Sequence, residues 1–248
     1  MMRHQRQKSA QYFFTTAPLP CPYLPERMER RVVTELVGRD VVSLHDALSL
    51  TGFRRSHSVA YAPACSDCQA CIPIRINCQK FKPSKTQARI ERVNSDLSWQ
   101  VCEPIATEEQ YNLFMAYQNG RHSDGEMSRM DFEDYQALVE DTPIESLVYE
   151  FRNSEGVLKT VCLADQICNG LSAVYSFYDP LLTRNSLGTF MVVWLVRQAL
   201  EMGLGYVYLG FWVKACSKMS YKSSFQPVEI FHEGHWIASD GNTPPGRE

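Results

Sequence analysis

The chain contains no run approaching the roughly 18 consecutive apolar residues that a membrane helix requires. Its first stretch, Met1 to Pro20, lacks the apolar core of a secretory signal. A cytoplasmic protein with no membrane partner is therefore expected. A disulfide framework is missing too. Nine cysteines is an odd number, and Cys65, Cys68 and Cys71 crowd too closely for an ordinary disulfide scaffold in 248 residues. They read as thiols or metal ligands in a reducing compartment. Nor does one sign of charge dominate: the formal net charge is only -3, which argues mildly against a nucleic-acid partner. No internal repeat is visible.

What is present is enough apolar material, 44% of residues, to bury a sizeable core in one large or two small domains. The charges are unevenly placed. Residues 1–92 hold 15 Lys and Arg against 7 Asp and Glu, an excess of +8, while residues 93–248 carry -11. This asymmetry suggests a basic N-terminal module with affinity for phosphate, against the plainer reading of a solvated surface. The expected division is 1–92 for that module, 93–240 for a second domain and 241–248 for a polar Gly/Pro tail. A flexible arm should precede an ordered turn at Cys21 to Pro25.

Periodicity supplies the elements. A short helix is expected from Ser43 to Leu50, a basic loop or strand at Phe53 to Ser58, and a strand from Ile72 to Asn77 with Pro73 suited to an edge. Lys85, Arg89 and Arg92 recur at helical spacing within Phe81 to Asn94, giving a helix with a positive face. Thr107 and Gln110 form a capping-box signature for a helix reaching about Tyr117 and stopped by Gly120. A helix at Asp131 to Glu140 follows. Strands are expected at Leu147 to Arg152, Val157 to Leu163 and Leu171 to Tyr178, then an apolar helix from Leu187 to Met202 terminated by Gly203, then a strand at Tyr206 to Gly210. Helices first and then strand, strand, strand, helix, strand describe an α/β (α+β) fold with a mixed sheet. Acyltransferases of the GNAT type share that order.

Two stretches carry chemistry. Tyr178-Asp179-Pro180 and Ser186-Leu187-Gly188-Thr189 place a loop between a strand and a helix. Free N–H groups at a helix start favour phosphate or a developing oxyanion, Ser186 can cap, and Gly188 lets a ligand approach the main chain. Plain capping is the competing reading. On the following strand, Tyr206 and Tyr208 should face one side and Val207 and Leu209 the other. Nearby, Tyr221, Lys218 and Lys222 could stack a base and neutralise phosphate, although aromatic strand residues more often pack a core.

These blocks, together with Cys21-Pro22-Tyr23-Leu24-Pro25, Gly52-Phe53-Arg54-Arg55-Ser56, Pro63-Ala64-Cys65 through Arg75, Arg121-His122-Ser123-Asp124-Gly125 and Gly170 to Tyr175, resemble the bacterial branch of the arginyl-tRNA-protein transferase family, the aspartate/glutamate leucyltransferases. The blocks keep the family's order from Cys21 to Lys222. Two positions depart from it: Ala88 and Asn185 stand where the family commonly has basic residues. The resemblance implies a basic cysteine-containing N-terminal module followed by a GNAT-like domain. It also implies transfer of leucine from leucyl-tRNA to proteins with N-terminal Asp or Glu, marking them for degradation by the N-degron pathway.

The ester is already activated, so such a reaction needs no cofactor. It must hold the acceptor carboxylate, take a proton from the ammonium and stabilise an oxyanion. Arg54, Arg55 and Arg75 are candidates for the carboxylate, since a guanidinium fork meets two oxygens; surface or structural ion pairs are the alternative. The backbone near Gly188, helped by Tyr178 or Tyr208, is the candidate oxyanion site. Asp179 and His122 are candidate bases, although either could equally be a turn residue. Cys65-x2-Cys68-x2-Cys71 resembles the opening of an iron-sulfur motif with Arg75 where a fourth cysteine would follow. Cys21 could complete a zinc or iron-sulfur centre, and the resemblance to eukaryotic transferases supports one; buried thiols are the alternative.

Three activities compete: the leucyl transferase, with an arginyl donor as its variant; a coenzyme-A acetyltransferase, disfavoured because no Arg/Gln-x-x-Gly-x-Gly/Ala loop is present; and a non-catalytic, metal-bearing tRNA-binding module.

Overall fold

The computed structural model describes residues 10–241. Its N-terminal part is a small antiparallel sheet. Strands β1 (Phe14–Thr15), β2 (Leu19–Pro20), β3 (Met28–Glu29) and β4 (Arg31–Glu35) precede helix α1 (Val41–Leu50), and β5 (Arg54–Ser56) and β6 (Val59–Pro63) follow it. The sheet order is β1-β4-β6-β5, with β2 and β3 as a separate ribbon. Part of the expected flexible arm is thus strand, because Phe14 and Thr15 pair with Val33 and Val32. Helix α1 begins earlier than expected, after Asp40.

Next come β7 (Ile72–Asn77) and α2 (Lys85–Val93), then β8 (Ser98–Cys102), α3 (Glu108–Arg121), α4 (Phe132–Glu140), β9 (Ser146–Arg152), β10 (Leu158–Ile167), β11 (Gly170–Tyr178), α5 (Leu187–Glu201), β12 (Tyr206–Trp212), the four-residue α6 (Ser217–Ser220), β13 (Val228–His232) and β14 (His235–Ser239). Eight strands form one sheet in the order β14-β13-β7-β12-β11-β10-β9-β8. Only β11 and β12 run parallel, joined through α5, because a parallel pair needs a crossover of this length. The architecture is a mixed α/β fold around a large mixed sheet.

The expected division at residue 92 is not where the sheets divide. Strand β7 lies in the middle of the large sheet, paired with β12 on one side and β13 on the other. The reason is hydrophobic: Ile72, Ile74 and Ile76 are all buried and need the core beneath that sheet. Pro73 is therefore not on an edge strand, but it lies beyond Ile74, the last residue that β13 pairs, so its missing N–H breaks no bond there.

One face of the sheet packs under α5, with Leu187, Met191, Leu195, Val196 and Ala199 against Ile74, Tyr149, Leu171, Val207 and Leu209. The opposite face carries α3 and α4, where Phe114, Tyr135 and Val139 meet Val148, Val161, Leu163 and Phe177. Capping explains where these helices start. Ser84 with Gln87, Thr107 with Gln110 and Asp131 with Asp134 each form reciprocal bonds that satisfy first-turn donors. Gly120 does not stop α3, which runs on to Arg121; instead Pro180 packs where a Cβ on Gly120 would sit, 2.9 Å away. Gly203 follows α5 with φ +73°, as expected. The closing tail, residues 242–248, lies outside the described residues. Within them, no helix is long and apolar enough to cross a membrane.

Candidate active site

The parallel pairing of β11 and β12 covers only Gly170, Leu171 and Ser172 opposite Tyr206, Val207 and Tyr208. Beyond that both strands continue unpaired with each other, β11 to Tyr178 and β12 to Trp212. Two carbonyls at this fork would be orphaned, which is costly in the interior. Cations satisfy them. Arg54 donates through Nη2 to the Ala173 carbonyl and through Nη1 to Ser172 Oγ at 2.9 Å. Lys222 Nζ donates to the Phe211 carbonyl at 2.8 Å. Gly210, at φ +78°, makes room, because a Cβ there would lie 2.8 Å from Arg54 Nε. Burial, with the Arg54 charge beside it, pulls the Lys222 ammonium down to about 7.

Between the end of β11, the end of α3 and the start of α5 lies a cleft of about 630 Å³. Tyr178, Ser186, Gly188, His122, Lys218 and Tyr221 all line it, so six of the residues singled out in the sequence meet there. Arg121 and Tyr117, for which no role was assigned from sequence, line it as well, and no carboxylate does.

The start of α5 is built unusually. Ser186 occupies the cap position in the left-handed region, φ 50° and ψ 47°, and its side chain makes no capping bond. That conformation costs a non-glycine residue roughly 1–2 kcal/mol, and the expected Ser186 cap is absent. Among the described residues no protein acceptor meets the N–H of Leu187 or Gly188, while Thr189 and Phe190 N–H both donate to the Ser186 carbonyl. The helix thus presents free donors at its positive end. The space in front of Gly188 belongs to Tyr178: a Cβ on Gly188 would come 3.3 Å from that ring. Glycine thus lets the Tyr178 ring lie close against the start of the helix.

Tyr178 is held by α3. Arg121 Nη2 donates to its hydroxyl oxygen at 3.2 Å, and the Tyr117 ring meets its face edge-on at 4.8 Å. Tyr117 Oη lies 3.2 Å from His122 Nε2. Burial, helped by the Lys218 and Arg121 charges, holds the His122 imidazolium below the usual histidine range, so the ring is neutral at pH 7.

Other candidates lie elsewhere. Arg55 forms a two-point ion pair with Asp165, Nε and Nη2 each at 2.7 Å from a carboxylate oxygen, inside the protein. Arg75 gives Nε and Nη2 to Glu229 at 2.8 and 2.6 Å and Nη1 to Tyr208 Oη, and its guanidinium is stacked 3.6 Å from the Tyr206 ring centre. Neither fork is free for an acceptor carboxylate; the alternating strand pattern could not reveal that Glu229 and Asp165 would oppose them. Arg54 has no carboxylate at ion-pair distance among the described residues; its two Nη groups are turned to the strand fork, and it does not line the cleft. Asp179 is a turn residue, accepting from Leu181 N–H and paired with Lys159 at 3.0 Å. Tyr208 and Lys222 are buried and do not line the cleft.

Cys21, Cys65, Cys68 and Cys71 do converge, on a separate pocket with Tyr23, Glu29 and Phe211. All nine cysteines are free thiols. Burial and then the neighbouring Cys21, Cys68 and Cys65 push the Cys71 thiol up to about 12. The donor chemistry suits a soft metal, and Cys65 Sγ accepts from the Arg30 N–H at 3.4 Å, a bond that ligating sulfurs also accept; among the described residues no three His, Cys, Asp or Glu are placed to hold an ion.

The family model for the N terminus of arginine-tRNA-protein transferase matches residues 19–89, and that for its C terminus matches residues 109–232. An aspartate/glutamate leucyltransferase of Paramagnetospirillum magneticum is 53% identical over 95% of this chain and 96% of its own. Those of Granulibacter bethesdensis and Gluconacetobacter diazotrophicus are 51% and 46% identical, over 91% and 98% of this chain and 85% and 94% of theirs. Among solved structures, FemX superposes with a TM-score of 0.45 at 8% identity, over 73% of this chain and 63% of its own. On the sequence matches, the chain belongs to the arginine-tRNA-protein transferase family, in the branch whose members are named aspartate/glutamate leucyltransferases.

Proposed function

We propose that the chain is an aminoacyltransferase that moves leucine from leucyl-tRNA to the α-amine of proteins beginning with Asp or Glu, in the cytoplasm, marking them for degradation through the N-degron pathway. The relatives' names motivate the reaction. The observation that carries it is the cleft at the start of α5, lined by Arg121 and Lys218, with free main-chain donors and no carboxylate. The strand fork and the crossing helix support a GNAT-like acyltransferase domain.

The terminal ester carbonyl would sit against the N–H groups of Leu187 and Gly188, which gain strength as its oxygen becomes an anion. Tyr178 adds a donor, because its oxygen already accepts from Arg121 and its proton is left to point into the cleft. The incoming ammonium must lose a proton before its nitrogen attacks the ester carbon. His122 is neutral and suited to take it; in the tautomer whose Nε2–H donates to Tyr117 Oη, the Nδ1 lone pair is the proton acceptor. As the tetrahedral adduct collapses, its nitrogen gives up a second proton, the bond to the ribose oxygen breaks, and that proton returns to the oxygen to leave the ribose hydroxyl. Arg121 and Lys218 would hold the acceptor carboxylate and the tRNA's terminal phosphate.

A carboxylate-free cleft argues against an arginyl donor, whose guanidinium would call for acidic residues. The transfer described uses neither zinc nor an iron-sulfur cluster; metal analysis of anaerobically purified protein tests whether the four clustered thiols hold one. The activity is tested by supplying labelled leucyl-tRNA and arginyl-tRNA with peptides starting with Asp, Glu, Lys or Ala. Label should reach only the Asp and Glu peptides, and only from leucyl-tRNA; label reaching no peptide sinks the enzyme reading.

A further inference from the structure

Helix α2 divides sharply by face. Gln87, Ile90 and the following Asn94 are buried, and Ile90 joins the core under α5. The outward side carries Lys85, Arg89 and Arg92, with Lys82 just ahead of the helix, and all four are exposed. Glu91, the helix's own carboxylate, pairs instead with Arg197 of α5. No ion pair neutralises the four outer cations among the described residues.

The position of this face matters more than its charge. At 1.5 Å per residue, Lys85 to Arg92 spans about 10 Å, enough to meet roughly three phosphates along one strand. The C-terminal end of α2 is fastened to the cleft. Asn94 Nδ2 donates to the Asn185 carbonyl at 2.8 Å, and Asn185 Nδ2 returns a bond to Asn94 Oδ1 at 2.9 Å. Asn185 closes the short turn Thr183–Asn185, which brings exposed Arg184 to the lip of the cleft, beside Thr183 and Ser186 in its wall. Cations therefore run from Lys82 to the mouth where the ester would lie. A protein partner would want an apolar centre on this face; it has only Val93, at its end.

We propose that the outer face of α2, continued by Arg184, is the track on which the sugar-phosphate backbone of the tRNA acceptor arm lies as its aminoacylated end enters the cleft. The contact reads backbone and not bases, since a row of lysine ammoniums and arginine forks on one exposed helix face matches successive phosphates. This rests on the aminoacyl-tRNA reading above and adds where the nucleic acid runs.

The test uses the full chain carrying Lys82→Gln, Lys85→Gln, Arg89→Gln and Arg92→Gln together, all surface changes, with a thermal melt to confirm folding. Kd for uncharged tRNA is measured by filter retention from 50 to 200 mM salt, and transfer kinetics are measured with leucyl-tRNA and with a leucyl ester of a short 3′ oligonucleotide. Losing four phosphate contacts should flatten the slope of log Kd against log salt by about 3. Over that fourfold salt range wild-type affinity should fall about 60-fold more than the variant's. KM for leucyl-tRNA should rise at least tenfold, with the short donor and the acceptor KM unchanged. An unaltered salt slope, equal losses on both donors, or no tRNA retention by wild type overturns the proposal. Retention with the expected slope change but no transfer from any donor would leave the track standing and remove the transferase reading instead.

Discussion

Replacing Arg55 by leucine separates a structural arginine from a substrate-binding one. Asp165 receives Nε and Nη2 of Arg55 and Ser146 Oγ, all at 2.7 Å, and the two charged side chains are only 1% and 0% exposed. Removing the guanidinium strands a carboxylate in the interior, and breaking such a pair costs about 3–5 kcal/mol. That is a large share of the roughly 5–15 kcal/mol that holds a domain folded. At about 2–4 °C per kcal/mol for a chain of this size, the Arg55→Leu melting temperature should fall by roughly 6–20 °C. The neighbouring His45 offers little rescue, because burial disfavours its charged form. Calorimetry measures the loss, and adding Asp165→Leu should recover most of it, since no orphaned charge then remains. Acceptor KM, measured below the melt, should match wild type. A variant that melts within 2 °C of wild type while its acceptor KM climbs tenfold would refute this reasoning and return Arg55 to the acceptor site.

Gly188→Ala should lower kcat several-fold with little change in melting temperature, because a Cβ 3.3 Å from the Tyr178 ring displaces that ring and not the fold; unchanged kcat would show that Tyr178 does not help the reaction. The NMR titration of His122 should have its midpoint below the usual 6.5 or so, and Lys218→Gln should move it upward, since a like charge that disfavoured the imidazolium is gone; a downward or absent move contradicts the assigned cause. Lys222 is pulled down to about 7 in the folded chain, so above that pH the unfolded chain binds the extra proton. Stability should therefore rise between about pH 7 and the ordinary lysine range near 10.4, and Lys222→Met should flatten that rise; denaturant melts across that range decide it. Arg121→Gln should reduce kcat by about tenfold by freeing Tyr178, and retention of full activity would place the cleft's anchor elsewhere.

Much of this protein was legible in one dimension. Local signals fixed local events: Thr107 and Gln110 announced a helix start, alternating isoleucines announced β7, and the apolar run after Gly188 announced α5. The functional blocks were also readable as blocks: Tyr178, Ser186 and Gly188 share one cleft because a strand end, a turn and a helix start lie close along the chain, whereas His122, Lys218 and Tyr221 reach it only through the fold.

The structure alone decided which charges are free. Arg55 and Arg75 look like Arg54 in sequence, yet each meets a carboxylate more than a hundred residues away, Asp165 and Glu229, while Arg54 and Lys222 are spent on carbonyls left open by two diverging strands. Arg121 showed no role until α3 set it beside Tyr178. Helix and strand periodicity follow from backbone geometry, which every residue carries with it. The availability of a side chain depends on what the fold places opposite it, and no local spacing records that.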